Sequence, residues 1–144
     1  MESVVCLAPP CADGLTIFDL VRLGVAVFHA ILFLQSGIDK VVDRKGNMAW
    51  LTGHFAKSPL AKLVSPMVTT VTLVELAAGL FSAIGFFTLL AGNRVPAAVG
   101  LLLAMLALLM LFFGQRLAKD YAGAAGLVPY FIATCLGLAL LGLP

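Results

Sequence analysis

The sequence predicts an all-α membrane protein, built as a four-transmembrane-helix up-down bundle. Of its 144 residues, 62% are hydrophobic and only 11% are charged, whereas soluble domains average about 25% charged residues. Nine Lys/Arg and seven Asp/Glu cannot form the polar shell that a soluble domain of this length needs. The charges gather in loops, which indicates contact with lipid headgroups and predicts no nucleic-acid partner. The lipid bilayer is therefore the expected surroundings of the chain.

Four apolar stretches give the helices of this bundle. Each is close to the ~20 residues that cross a hydrocarbon core of ~30 Å. After a tail at 1–17, they predict a single transmembrane domain over 18–143. Short connections follow the second and third helices, which makes the neighbouring helices antiparallel. The predicted helices are 18–38, 66–90, 95–113 and 121–143.

The first connection, 39–65, is the long one. Its segment 47–55 is amphipathic and carries Trp50, the only tryptophan of the chain. Indole side chains concentrate at the membrane–water interface, and short amphipathic helices lie there in the membrane plane. The segment predicts a short interfacial helix.

The distribution of basic residues predicts the orientation. The first and third connections carry most of the lysines and arginines, and these lie on one side of the predicted bundle. The positive-inside rule then makes the loops 39–65 and 114–120 cytoplasmic and both termini external, in what we expect to be a bacterial inner membrane. The basic residues on that side are Lys40, Arg44, Lys45, Lys57, Lys62, Arg116 and Lys119.

Two of the three cysteines, Cys6 and Cys11, lie in the N-terminal tail. Their spacing fits neither a zinc pair nor a haem attachment motif. Two interpretations stay open: two unpaired thiols, or a disulfide if the tail faces an oxidising compartment. Cys135 lies in the last helix, and the sequence assigns it no role.

Glu75 lies near the middle of the second apolar stretch. An ionised carboxylate there costs at least ~2.5 kcal/mol, so the side chain needs a partner or a proton. On the first helix, Arg22, His29, Ser36 and Lys40 recur at intervals of seven, seven and four residues, which places them on one face.

Depth in the membrane suggests which of these residues meets Glu75. Counted at ~1.5 Å per residue from the external side, His29 lies about 16 Å deep, Glu75 about 20 Å and Arg22 about 6 Å. His29 is therefore the predicted partner of Glu75. Arg22 is expected either to reach partway toward Glu75 or to pair with Asp19, one turn earlier.

A paired His29 and Glu75 at mid-membrane has two interpretations. It is a protonatable site for a quinone headgroup, or it is a hydrogen bond that holds two helices together. Haem ligation is disfavoured because His54, the second histidine, lies in a loop. No metal site is predicted, because too few ligands are present.

Several motifs in this order resemble the DoxX family of four-helix membrane proteins. They are Arg22 early in the first helix, Ser-Gly-Ile-Asp-Lys at 36–40, and Val-Glu-Leu-Ala-Ala-Gly-Leu at 74–80. The resemblance covers roughly residues 18–130. Some members of that family form the quinone-reducing membrane subunit of a thiosulfate:quinone oxidoreductase, and others associate with enzymes of thiol or oxidative-stress metabolism. The family's matching positions are Arg22, Lys40 and Glu75.

Two functions follow as hypotheses. In the first, the chain is a DoxX-like subunit or accessory protein of a larger membrane redox complex, acting mainly through helix packing with other membrane subunits or with copies of itself. In the second, it is a quinone-linked oxidoreductase subunit in which Glu75 and His29 take up and release protons. Arg22 or Lys40 then holds an anionic substrate or semiquinone, and a quinone is the cofactor. Whether the chain is an enzyme stays open.

Overall fold

Residues 15–143 are described by the computed structural model, and helices make up most of this range. Cys6 and Cys11, the two cysteines of the N-terminal tail whose pairing the sequence leaves open, lie outside the described residues. A single 3₁₀ turn, Ala61–Leu63, precedes the third helix of the described range. The five α-helices of that range are α1 (Ile17–Val42), α2 (Arg44–His54), α3 (Val64–Leu90), α4 (Val95–Leu117) and α5 (Tyr121–Gly142).

Four of these helices, α1, α3, α4 and α5, are long and apolar enough to cross a membrane. The prediction of an all-α protein with four helices able to span a membrane is confirmed. Two helices end four residues later than predicted: α1 continues from 38 to Val42, and α4 from 113 to Leu117. α4 continues through Gly114, which packs against Phe55: a Cβ added at Gly114 would lie 3.5 Å from the ring.

Side chains cap the starts of α1, α2 and α5. The Thr16 hydroxyl accepts the Asp19 N–H, and the Asp19 carboxylate accepts the Thr16 N–H, which together form a capping box at the start of α1. Asp43 and Asp120 cap α2 and α5 with a single bond each, from the N–H of Gly46 and of Gly123. Gly92, with φ of 80°, makes the turn between α3 and α4 in the left-handed region that favours glycine.

Small residues bring α3 close to both of its main neighbours, α1 and α4. A Cβ at Gly79 would lie 2.7 Å from the backbone nitrogen of Leu34 on α1, and one at Gly85 would lie 2.5 Å from the Cα of Ala97 on α4. Contacts this short leave no room for a side chain, so glycine permits the close packing that holds membrane helices together. Around these contacts, Phe33 and small alanines of α3 and α4 form the core.

Large apolar side chains cover the outside of the bundle. On α4 and α5 they are well exposed within the chain, as expected for surfaces that face lipid. Examples are Leu102, Leu106, Leu109, Phe113, Ile132 and Leu136.

Candidate functional site

An ion pair between Lys40 of α1 and Glu75 of α3 lies inside the bundle. The Lys40 ammonium is 2.9 Å from Glu75 Oε2 and donates to Oε1 at 3.1 Å. The Ser36 hydroxyl donates to Oε1 at 3.1 Å and accepts from the ammonium at 2.7 Å. Only 1% of the Glu75 side chain is exposed, against 18% for Lys40. The carboxylate therefore has a charged and a neutral donor in an otherwise apolar layer.

The local sequence explains why these three groups meet. Ser36 and Lys40 are one helical turn apart, so they share a face of α1. Between them, Gly37 has no side chain, and Leu76 of α3 fills the space where its Cβ would lie. Side chains lean toward the N-terminus of their helix, so the long Lys40 chain runs back along α1 and carries its ammonium inward. A lysine near the end of α1 thereby reaches a carboxylate that lies deeper.

The predicted pairing of Glu75 with His29 is wrong. Gly37 lies against Leu76, and Leu34 lies against Gly79, so position 84 is opposite His29. That position is nine residues, or about 13 Å along the helix axis, from Glu75. Counting depth from the two helix ends failed because these ends are not level. By the same register, α1 extends about 9 Å beyond the end of α3.

His29 is fully buried and joins α1 to α5. Its Nδ1 donates to the carbonyl of Val25 at 2.8 Å, and its Nε2 lies 2.9 Å from the Thr134 hydroxyl oxygen. That hydroxyl is also 2.8 Å from the carbonyl of Tyr130. It has one hydrogen, so it donates either to a neutral His29 or to Tyr130 while a charged His29 donates to it. Both ring nitrogens are bonded in either protonation state.

Arg22 lies at the opposite end of α1 from Lys40. Its side chain is buried and forms an ion pair with Asp19, with Nη1 2.9 Å from Oδ1. Of the two predicted alternatives for Arg22, pairing with Asp19 is confirmed. Nε and Nη2 donate to the carbonyls of Leu140 and Leu143, at 2.9 and 2.8 Å, near the end of α5. Cations are favoured there, because a helix C-terminus carries partial negative charge.

The four candidate residues thus occupy three places: Lys40 with Glu75, His29 with Thr134, and Arg22 with Asp19. Their roles in binding or catalysis stay predictions. Thr134 was missed because a lone threonine in an apolar helix usually bonds only to its own backbone, so the sequence gives no distinguishing signal. The described residues contain no group of three or more His, Cys, Asp or Glu side chains positioned to hold a metal ion.

A small cavity of about 70 Å³ opens beside Lys40. His54 and Gln115 line it, and His54 Nε2 is 3.2 Å from the Gln115 side-chain oxygen. The cavity has room for a few water molecules. Pockets that enclose small organic ligands measure roughly 300–1,000 Å³. The space beside the ion pair is therefore too small to enclose a quinone headgroup in this conformation.

Comparison with known proteins finds no relative of this chain. No family model, curated protein or solved structure matches the chain. The resemblance to the DoxX family stays a prediction that depends on the motifs at 22, 36–40 and 74–80.

The ion pair predicts a strongly non-additive double-mutant cycle. Lys40→Met leaves the Glu75 carboxylate buried without its cation, and we expect a loss of about 3–5 kcal/mol in the free energy of unfolding. Glu75→Leu alone leaves a lysine that can turn toward water and should cost less. In the double variant, the loss should be far smaller than in Lys40→Met. Denaturant unfolding in detergent micelles gives the free energy of unfolding of the wild type, the two single variants and the double variant. Additive losses of this free energy would contradict the pairing.

The bond between His29 and Thr134 predicts that two similar threonines differ in importance. Thr134 and Thr72 are both buried, and each hydroxyl oxygen lies within 2.8 Å of the carbonyl oxygen four residues earlier. Among the described contacts, only Thr134 also binds a side chain of another helix. Thr134→Val should therefore lose about 0.6 kcal/mol more unfolding free energy than Thr72→Val, the average for such bonds between membrane helices. Equal losses in the same unfolding assay would rule out a stabilising His29–Thr134 bond.

Proposed function

We propose that this chain is an integral membrane subunit or accessory protein of a larger membrane redox complex, and that it acts mainly through helix packing. The ion pair of Lys40 and Glu75 is the observation that carries this proposal. Glu75 is enclosed by the bundle and bonded to groups of α1, at the place where Gly37 and Gly79 bring α1 and α3 into contact. A buried charge used in this way fixes the register of two helices.

The surroundings of the pair support a packing role over a reaction at Glu75. The adjacent cavity of about 70 Å³ does not enclose a substrate. Glu75 and His29 contact different partners, so the quinone-linked alternative has no shared site formed by these two residues. The redox character of the complex comes from the DoxX resemblance alone.

The proposal includes an arrangement in the membrane. We infer an up-down bundle in a bacterial inner membrane, with the termini outside and the connections 39–65 and 114–120 in the cytoplasm. Seven of the nine Lys/Arg lie on the cytoplasmic side in this orientation. Trp50 of α2 is 62% exposed, which is consistent with α2 lying at the interface.

Cysteine accessibility tests the orientation. In a background with the three native cysteines replaced by serine, a membrane-impermeant maleimide should label Asn93→Cys in intact cells. It should leave Lys57→Cys unlabelled until the cells are broken. Asn93 and Lys57 are both exposed, so burial does not distinguish them. The reverse labelling pattern would refute the positive-inside assignment.

Affinity purification tests the function. The tagged chain, extracted in mild detergent, should co-purify with other membrane proteins in fixed stoichiometry and without quinone. The variant Glu75→Gln keeps the shape of the side chain but removes its charge. We expect it to lower the amount of co-purified partner proteins, because the bundle is less stable. A matched variant at an exposed site, Thr70→Val, should recover the partners normally. An isolated protein that retains quinone, and loses it in Glu75→Gln, would favour the quinone-linked alternative instead.

A further inference from the structure

A second, larger recess lies at the end of the bundle opposite the Lys40–Glu75 pair. Its volume is about 350 Å³, within the range of roughly 300–1,000 Å³ typical of small-molecule sites. It lies between the first turns of α1 and the turn that joins α3 to α4. Two arginines and several leucines line this space. The lining residues are Leu15, Asp19, Arg22, Leu23, Leu89, Leu90, Gly92 and Arg94.

Arg94 brings hydrogen-bond donors to this recess. Its Nη1 donates to the carbonyl of Leu143 and, at 3.5 Å, to that of Leu141, which fixes the guanidinium at the end of α5. The Nε and Nη2 groups of Arg94 make no hydrogen bond to any of the residues 15–143. They carry three N–H donors in the planar arrangement that binds the oxygens of phosphate or carboxylate in pairs.

The charges around the recess favour an anion. Arg22 and Arg94 contribute two positive charges, and Asp19 contributes one negative charge. The C-terminal end of α5 adds a partial charge of about −0.5, so the lining contributed by residues 15–143 keeps a net positive charge, and Arg94 carries it because Arg22 is paired with Asp19. The Asp19 carboxylate does not occupy the free donors of Arg94. Its Oδ1 accepts from Arg22, and its Oδ2 accepts from the N–H and the hydroxyl of Thr16.

The apolar side chains of the recess and its location in the bundle indicate which class of ligand it binds. Leu89 and Leu90 line the recess beside Arg94, so it offers an apolar surface next to a cationic group. It lies where membrane-spanning helices end, which is the level of lipid headgroups. An amphiphile with an anionic head matches both features. Free phosphate matches only the charge.

We propose that the recess binds the phosphate group of an anionic amphiphile, with the Arg94 guanidinium as its main contact. The phosphate oxygens accept from Nε and Nη2 of Arg94, while the apolar part of the ligand lies along Leu89 and Leu90. Anionic membrane lipid is the expected source of the group, and free phosphate is the other source with the same chemistry. This site is independent of the packing role proposed for Lys40 and Glu75.

Native mass spectrometry of the full chain in detergent tests the proposal. The probes are phosphatidylglycerol and phosphatidylcholine with identical acyl chains. We expect the wild-type protein to bind phosphatidylglycerol at least tenfold more tightly, and Arg94→Gln to reduce this preference about tenfold. The control is Arg44→Gln, because Arg44 lies at the other end of the bundle, where it donates to Thr69. The control should keep the wild-type preference.

Two further measurements complete the test. If Arg94→Gln does not fold, Arg94→Lys keeps the charge but lacks the planar fork, and it should still lose binding severalfold. Competition with inorganic phosphate identifies the source: resistance to millimolar phosphate supports a lipid, and displacement supports the free ion at the same site. Equal effects of the Arg94 and Arg44 variants, or equal binding of the two lipids, would overturn the proposal.

Discussion

The carboxylate of Glu75 must be neutralised within an apolar layer, and this requirement determines how α1 and α3 pack. An uncompensated charge at that depth costs at least ~2.5 kcal/mol. Lys40 and Ser36 compensate it with one charged and one neutral donor. These donors reach Glu75 only because Gly37 and Gly79 let the two helices approach without side chains between them. The ion pair and the close glycine contacts therefore depend on each other.

The same register determines where the remaining polar residues lie. With Gly37 opposite Leu76 and Leu34 opposite Gly79, α1 extends past the end of α3, and its first turns lie beside the end of α5. His29 then faces Thr134 of α5, and Arg22 meets the carbonyls that end α5. The bundle consequently has different chemistry at its two ends. Toward one end lies the ion pair, beside a small and mostly apolar cavity, and at the other end lies a cationic recess of ligand size.

Much of the fold was predictable, since hydropathy alone identifies helices that span about 30 Å. The bond between Arg22 and Asp19 was predictable too, because residues three apart on a helix are neighbours. The partner of Glu75 was not, since depth counted from helix ends assumes level ends and ignores the length of a lysine side chain. Thr134 and the recess at Arg94 depend on contacts between distant segments, for which a single sequence has no periodic signal.

Solid-state NMR can measure the central contact directly. Dipolar coupling between ¹⁵N and ¹³C labels reports which nitrogen lies beside the Glu75 carboxyl carbon in the protein reconstituted in lipid. The structure predicts strong coupling to Lys40 Nζ, which is 2.9 Å from Oε2, and loss of this coupling in Lys40→Met. Strong coupling to a ring nitrogen of His29 instead, with none to Lys40, would contradict the register on which this account depends.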